Sequence, residues 1–581
     1  MTTTPSLKSK SFAHRAISIL SYAILLGGVV TIGLALYLVV VSYSSLPYWD
    51  GWTQVFAVRD GNPLSLSSLW KQHNEHRMPI PKLLLLADLR WFHARQVFLL
   101  ASIFVVQFLQ LLLLAWSMRV LGGWRGELWR TGVGLAAFCV FCPSQWENLT
   151  WGFQVCFVLP GLFATVSLIG LLLYWKSSQE PLGKTAANWK YLALSIAAAL
   201  GATWSLSNGN LLWPLLVAAA LLLRLRIVAV LTYAMAGALS TAVYLLGYVH
   251  PTYVVTSVRT PVATIKYLLA YFGSSWPGYH FRLAEIVGLG GLTVFFLLLA
   301  RLPVYARGRR TFDVQLVLIA AFCFATGVVT ALGRSPLGVD QAIASRYQSV
   351  SLLFWCSLGL MVLGAVSLLS RESNAFFLAV QVGLLAIMLV GARHSENSLM
   401  LARKHGFALN AAAMSLVTNV PDAGQLKLAF WNPDYLLTLV PDMRQERLSV
   451  FSGTDSLLLG KPLESAFALA SSNECIGALE STVPMPGVAD WLAALRITGW
   501  AWDYNHRRPP SRIVATTDGI ITGLGAVGDW RPMDKATRPS ITSNYIGFTG
   551  YVERARASAP VEIYAILSSA PATACLIATV K

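Results

Sequence analysis

Apolar runs of membrane-spanning length recur along this chain. They lie near residues 17–43, 97–118, 131–143, 153–175, 191–206, 211–223, 227–249, 284–300, 313–332, 347–369 and 375–392. A bilayer core takes about 20 apolar residues as a helix, because lipid offers no partner to an open backbone amide. The pattern therefore predicts about eleven transmembrane helices and excludes an ordinary soluble fold. Only 12% of the 581 residues are charged and mean hydropathy is +0.58, against about a quarter charged in soluble proteins. The net charge of +17 does not point to nucleic acid, since the basic residues punctuate spans instead of forming one stripe.

Those basic residues fix an expected orientation. With residues 1–16 in the cytoplasm, the clusters Arg119/Arg125/Arg130, Lys176/Lys184/Lys190, Arg224/Arg226, Arg301/Arg307/Arg309/Arg310 and Arg371 all fall inside, as the positive-inside rule requires. An odd number of spans then leaves everything after about Arg393 outside. The run from Ile17 to Val41 is too long for a signal-peptide core and reads as a retained first span.

The expected domains are a transmembrane domain over 17–392, with a long first outer loop at 44–96, an outer helical region over 393–474, and a β domain over 475–581. In the outer loop, Leu64–Trp70 and Leu83–Phe92 have the pattern of helices lying in the membrane interface. In the β domain, Leu495–Trp502, Arg512–Thr517, Ile520–Leu524, Tyr545–Glu553, Val561–Leu567 and Thr573–Thr579 read as strands of a sandwich. Cys475 and Cys575 bracket this domain and can pair in an oxidising compartment. The other five cysteines lie in or beside spans, as small hydrophobes do.

The outer face collects the chemistry. Asp50 stands in Tyr48-Trp49-Asp50-Gly51-Trp52, right behind the first span, with Asp60, Asp88, Glu285 and Asp340 on later outer loops or helix ends. A carboxylate there suits general-base duty; an interfacial aromatic belt with a capping Asp is the plainer reading. His73 and His76 share a face if their segment is helical, and with Glu75 and Arg77 they make a platform for a polar head group. Their spacing is not that of a zinc site. Glu147, in Trp146-Glu147-Asn148, either meets a cation such as Arg77 or Arg346 or binds substrate. Arg346, in Ser345-Arg346-Tyr347, is placed to hold a phosphate or to snorkel. Mid-span positions are mostly Leu, Val, Ala and Phe, unlike a transporter.

This arrangement resembles the GT-C superfamily of polytopic glycosyltransferases, and most of all its bacterial members of surface-polysaccharide pathways. The Trp-Asp, His-Asn-Glu-His-Arg, Trp-Glu-Asn and Ser-Arg-Tyr patterns are matched by Asp50, His73–Arg77, Trp146–Asn148 and Ser345–Tyr347, and the likeness spans roughly 17–392. The resemblance implies an inner-membrane enzyme that moves a hexose or pentose from a polyprenyl-phosphate donor to a glycan or lipid-linked acceptor, inverting the anomeric centre. It implies Asp50 as base and His73, Glu75, His76, Arg77, Glu147, Asn148, Arg346 and Tyr347 as substrate-binding residues. The Asp-x-Asp form of the acidic motif is absent, since Trp52 stands two after Asp50. A single carboxylate is a weak divalent-cation site, so no cofactor is expected. An O-antigen-type polymerase or ligase and a polysaccharide or lipid transporter remain as alternatives.

Overall fold

The computed structural model describes residues 7–59, 65–179, 189–250, 260–275, 280–369, 374–485, 493–533, 538–554, 560–568 and 570–580. Asp60, Lys184 and Arg371 lie outside them. Two compact units emerge, one of residues 1–39, 66–83 and 100–399, the other of 40–65, 84–99 and 400–581. The expected outer loop is thus divided: its middle belongs to the first unit and its ends to the second.

The first unit is helical. Among the described residues, eight helices of the chain are long and apolar enough to cross a membrane: Phe12–Ser42, Val97–Val120, Gly152–Ser178, Ile227–Leu245, Phe281–Ala300, Thr311–Leu337, Ser345–Leu368 and Asn374–Val417. The three other expected spans are also helical but shorter, at Gly126–Phe141, Trp189–Thr203 and Leu212–Leu222. The helices pack backbone to backbone where glycine allows it. A Cβ at Gly273 or Gly288 would run into the carbonyl oxygens of Ala284 and Leu269, so helices Pro261–Gly273 and Phe281–Ala300 cross at their closest there.

Buried amides interrupt the apolar mid-spans. Gln107 donates to Gln145 Oε1 at 3.3 Å, Gln110 to Thr165 Oγ1 at 3.0 Å, and Gln381 to Thr131 Oγ1 at 3.0 Å. The mid-spans are more polar than composition suggests, and these groups are used to join helices, where a hydrogen bond in hydrocarbon is retained.

The helix Asn374–Val417 runs 44 residues without a break, with residues 374–399 in the first unit and the rest in the second, so the expected boundary at 392/393 falls inside it. Short helices Ala423–Ala429, Pro433–Leu437 and Val440–Gln445 follow. Then come eight strands: β1 (Ala468–Leu469), β2 (Cys475–Met485), β3 (Ala493–Asp503), β4 (Arg512–Thr517), β5 (Ile520–Asp529), β6 (Gly547–Arg554), β7 (Val561–Ile566) and β8 (Thr573–Val580). They form one sheet in the order β1-β8-β7-β4-β5-β6-β3-β2, not the two sheets of a sandwich. The sheet curls, and a Cys475–Cys575 disulfide with a Cα–Cα distance of 6.3 Å joins β2 to β8. Curling gives the sheet an inner core of Ile497, Ile513, Phe548, Val561 and Ile563. A second core, with Val514, Leu524 and Tyr564, covers its other face with Leu409, Leu426, Leu439 and Trp52.

Candidate functional site

The segment after Trp70 folds as a tight turn, not a helix. His73 N–H donates to the His76 carbonyl and His76 N–H to the His73 carbonyl, each at 2.8 Å. Asn74 makes the reversal at φ +49°, a left-handed conformation that Asn adopts more readily than most residues. Asn74 and Glu75 therefore sit at the tip. Arg77 locks the base. Its guanidinium donates to the Trp70 carbonyl at 2.7 Å and the Leu246 carbonyl at 2.5 Å, and it lies over the Trp70 ring at 5.4 Å. Lys82 donates to the carbonyls of Ser68 and Lys71, and burial pulls its amine down to about 8. Both cations are engaged in holding the loop.

The turn faces a cavity of about 370 Å³ within the first unit. That is inside the ordinary range of small-ligand sites, about 300–1,000 Å³. Glu75 and His76 line it, with Asn208, Tyr248, Arg334 and Tyr347 among the other polar groups. Glu75 Oε1 pairs with the Arg334 guanidinium. His76 Nδ1 lies 2.8 Å from Ser207 Oγ, and the Tyr248 hydroxyl donates to the Glu75 carbonyl at 3.3 Å. Leu206, Leu245, Val329 and Val350 supply apolar wall. Arg334 uses one guanidinium nitrogen for Glu75 and makes no other hydrogen bond or ion pair among the described residues. Its remaining donors are available to an anion.

The loop that brings Ser207 and Asn208 to the cavity depends on Gly209. A Cβ there would collide with the Ala202 carbonyl oxygen, so a glycine lets the Ser207–Leu211 turn lie against the end of helix Trp189–Thr203.

The other expected site residues form separate groups. Glu147 Oε2 accepts from Ser345 Oγ at 2.8 Å and from the Arg346 backbone N–H at 3.0 Å, and Glu147 Oε1 lies 3.4 Å from the Arg346 guanidinium. Arg346 stacks on Tyr347 at 5.1 Å, and Asn148 donates to the Arg346 carbonyl at 3.0 Å. These residues tie Trp146–Thr150 to Ser345–Tyr347, and only Tyr347 reaches the cavity. His73 lies beside Phe153, with ring centroids 5.3 Å apart.

Asp50 belongs to the second unit and is not among the residues lining the cavity. It is half-buried in the turn Trp49–Trp52, where its carbonyl accepts from Thr53 Oγ1 at 2.7 Å. The flanking tryptophans differ. Trp49 is exposed and adopts φ +43°, a strained backbone for a bulky side chain. Trp52 is fully buried and its indole N–H donates to the Ala429 carbonyl at 3.3 Å, so it is a core residue and not part of an aromatic belt.

Among the cavity residues that sequence reasoning missed, Arg334 is the charged one. Its signal was legible: it stands at the far end of helix Thr311–Arg334 from the Arg301–Arg310 cluster, on the side where the alternation of basic residues leaves few cations. Among the described residues, no three His, Cys, Asp or Glu side chains gather as a metal cage needs. No protein-family model matches the chain, and no curated protein matches it.

Proposed function

We propose that this chain is a membrane glycosyltransferase of GT-C type that transfers a sugar from a polyprenyl-phosphate donor to a glycan or lipid-linked acceptor on the outer face of the membrane. The observation that carries the reading is the cavity among membrane-spanning helices, part apolar and part polar, in which Arg334 keeps donors available. A lipid-linked phosphate needs those features together: apolar wall for the chain's first isoprene units and a charge-assisted donor for the phosphate. A soluble substrate would not need its site in a bundle of apolar helices.

In this reaction the acceptor hydroxyl oxygen attacks the anomeric carbon as the bond to the phosphate oxygen breaks. The polyprenyl phosphate leaves with that electron pair, held by Arg334, and configuration inverts. The hydroxyl proton passes to a carboxylate. The sequence resemblance makes Asp50 that base, while Glu75 is the carboxylate inside the cavity and steadies Arg334. His76, fixed by Ser207, orients the head group, and Arg346 serves the site through Glu147 and Tyr347 rather than by holding phosphate itself.

The test is transfer by purified protein supplied with a polyprenyl-phosphate sugar. Arg334→Gln should weaken donor binding by about ten- to a hundredfold, the range for hydrogen bonds to charged groups. Asp50→Asn should lower turnover by about two to four orders of magnitude. Unchanged turnover in Asp50→Asn would remove it as base and leave Glu75 to be tested by Glu75→Gln. Absence of transfer with every polyprenyl-phosphate sugar tried, alongside substrate flux in vesicles, would favour the transporter alternative.

A further inference from the structure

Asn208 lines two voids at once: the 370 Å³ cavity and a recess of about 30 Å³ that it shares with Gln110, Gln145 and Ser349. Its amide nitrogen donates to Thr326 Oγ1 at 3.4 Å, and the Gln110 amide nitrogen donates to Thr165 Oγ1 at 3.0 Å. Thr165 Oγ1 gives its own proton to the Gly161 carbonyl at 3.0 Å and must accept from Gln110, which fixes that amide, and the Asn208 nitrogen faces Thr326 Oγ1. The oxygens left over, Asn208 Oδ1 and Gln110 Oε1, are buried without a hydrogen-bond partner among the described residues, as is Ser349 Oγ. Two oriented acceptors and a hydroxyl at membrane depth are costly unless something donates to them.

Phosphate oxygens only accept, so a phosphate is repelled from this end and drawn to Arg334. A hydroxyl-bearing ring has the opposite preference. We propose that the cavity is polarised along the donor: the uncharged, polyhydroxylated sugar lies against Asn208 Oδ1 and the phosphate faces Arg334. The recess, with room for one water, takes a water that links Gln110 and Ser349 to the sugar end. Asn208 thereby reads whether a sugar is attached, a discrimination the phosphate contact alone cannot make. The proposal rests on the head-group reading of the cavity and adds a direction to it.

The experiment measures binding to the purified full-length protein of two probes, a short-chain polyprenyl phosphate and the same lipid carrying a hexose. Wild type should favour the hexosyl lipid. Asn208→Leu should lose about three- to tenfold in affinity for it, one neutral hydrogen bond's worth, with the bare phosphate lipid unchanged. Asn208→Asp retains an acceptor there and should keep the preference, which separates hydroxyl recognition from simple damage to the loop. Equal losses for both probes in Asn208→Leu, or a preference that survives it, would overturn the proposal. Loss of both probes in Arg334→Gln supports the underlying reading by itself. Failure of wild type to bind either probe sinks both.

Discussion

At the scale of single residues, buried charges separate those that build the site from those that build the protein. Asp88 is fully buried, and its carboxylate accepts from the backbone N–H of Gln96 at 3.0 Å and of Phe98 at 3.2 Å. The connection it holds carries left-handed backbone at His93, Ala94 and Gln96, so the side chain stabilises a strained entry to helix Val97–Val120. Burial outweighs those bonds and raises the Asp88 carboxyl to about 6. A folded-state value above the unfolded one, about 3.9, favours the protonated form. Its contribution is complete below about pH 4 and is lost as pH rises through 6. The midpoint of thermal unfolding should therefore fall over that window for this reason. Asp88→Asn should remove that part of the slope. Equal slopes in the two proteins, by calorimetry between pH 4 and 7, would refute the assignment.

At the scale of elements, what was legible in the sequence is what rests on local pattern. All eleven apolar runs are helices, because period and length suffice for that. Six strands were found within a few residues, helped by turn signals such as Asp518-Gly519, both at positive φ between β4 and β5. β2 was missed: Cys475–Met485 carries Gly477, Glu480 and Pro484 and is barely alternating, and its pairing with β3 is what makes it a strand. The i,i+3 spacing of His73 and His76 suits one face of a helix, but the segment is a tight turn, and spacing alone does not separate the two. Closure of the sheet depends on partners about a hundred residues apart, which no local pattern encodes, although the two cysteines did mark the ends. The bond closes a loop of 100 residues, for which chain-entropy models give about 4–5 kcal/mol. Replacing Cys475 and Cys575 together by serine should lower the stability of the sheet by about 2–5 kcal/mol. Limited proteolysis of the C-terminal region in the two proteins measures this; equal cleavage rates would contradict it.

At the scale of the whole molecule, the open quantity is parity. Eight long helices would return the chain to the side where it began, while eleven crossings leave the C-terminus opposite. The deciding helices, Gly126–Phe141, Trp189–Thr203 and Leu212–Leu222, have 16, 15 and 11 residues. At 1.5 Å per residue the longest spans about 24 Å, short of a hydrocarbon core of about 30 Å. Length alone argues against crossing, and charge argues for it. If none of the three crosses, Arg119–Arg130 stays with the N-terminus, but Lys176–Lys190, Arg224/Arg226 and Arg301–Arg310 all move to the other face. If all three cross, every cluster shares the N-terminal side. Short helices can manage this when protein covers them, and ten residues of Gly126–Phe141 are buried. The disulfide gives an independent argument, since such bonds persist in oxidising compartments and not in the cytoplasm. We therefore expect an extracytoplasmic C-terminus. An alkaline phosphatase fusion after Lys581 should be active and a green fluorescent protein fusion dark. The reverse result would put the curled sheet in the cytoplasm, reduce the crossings to an even number, and remove the outer-face acceptor from the proposed reaction.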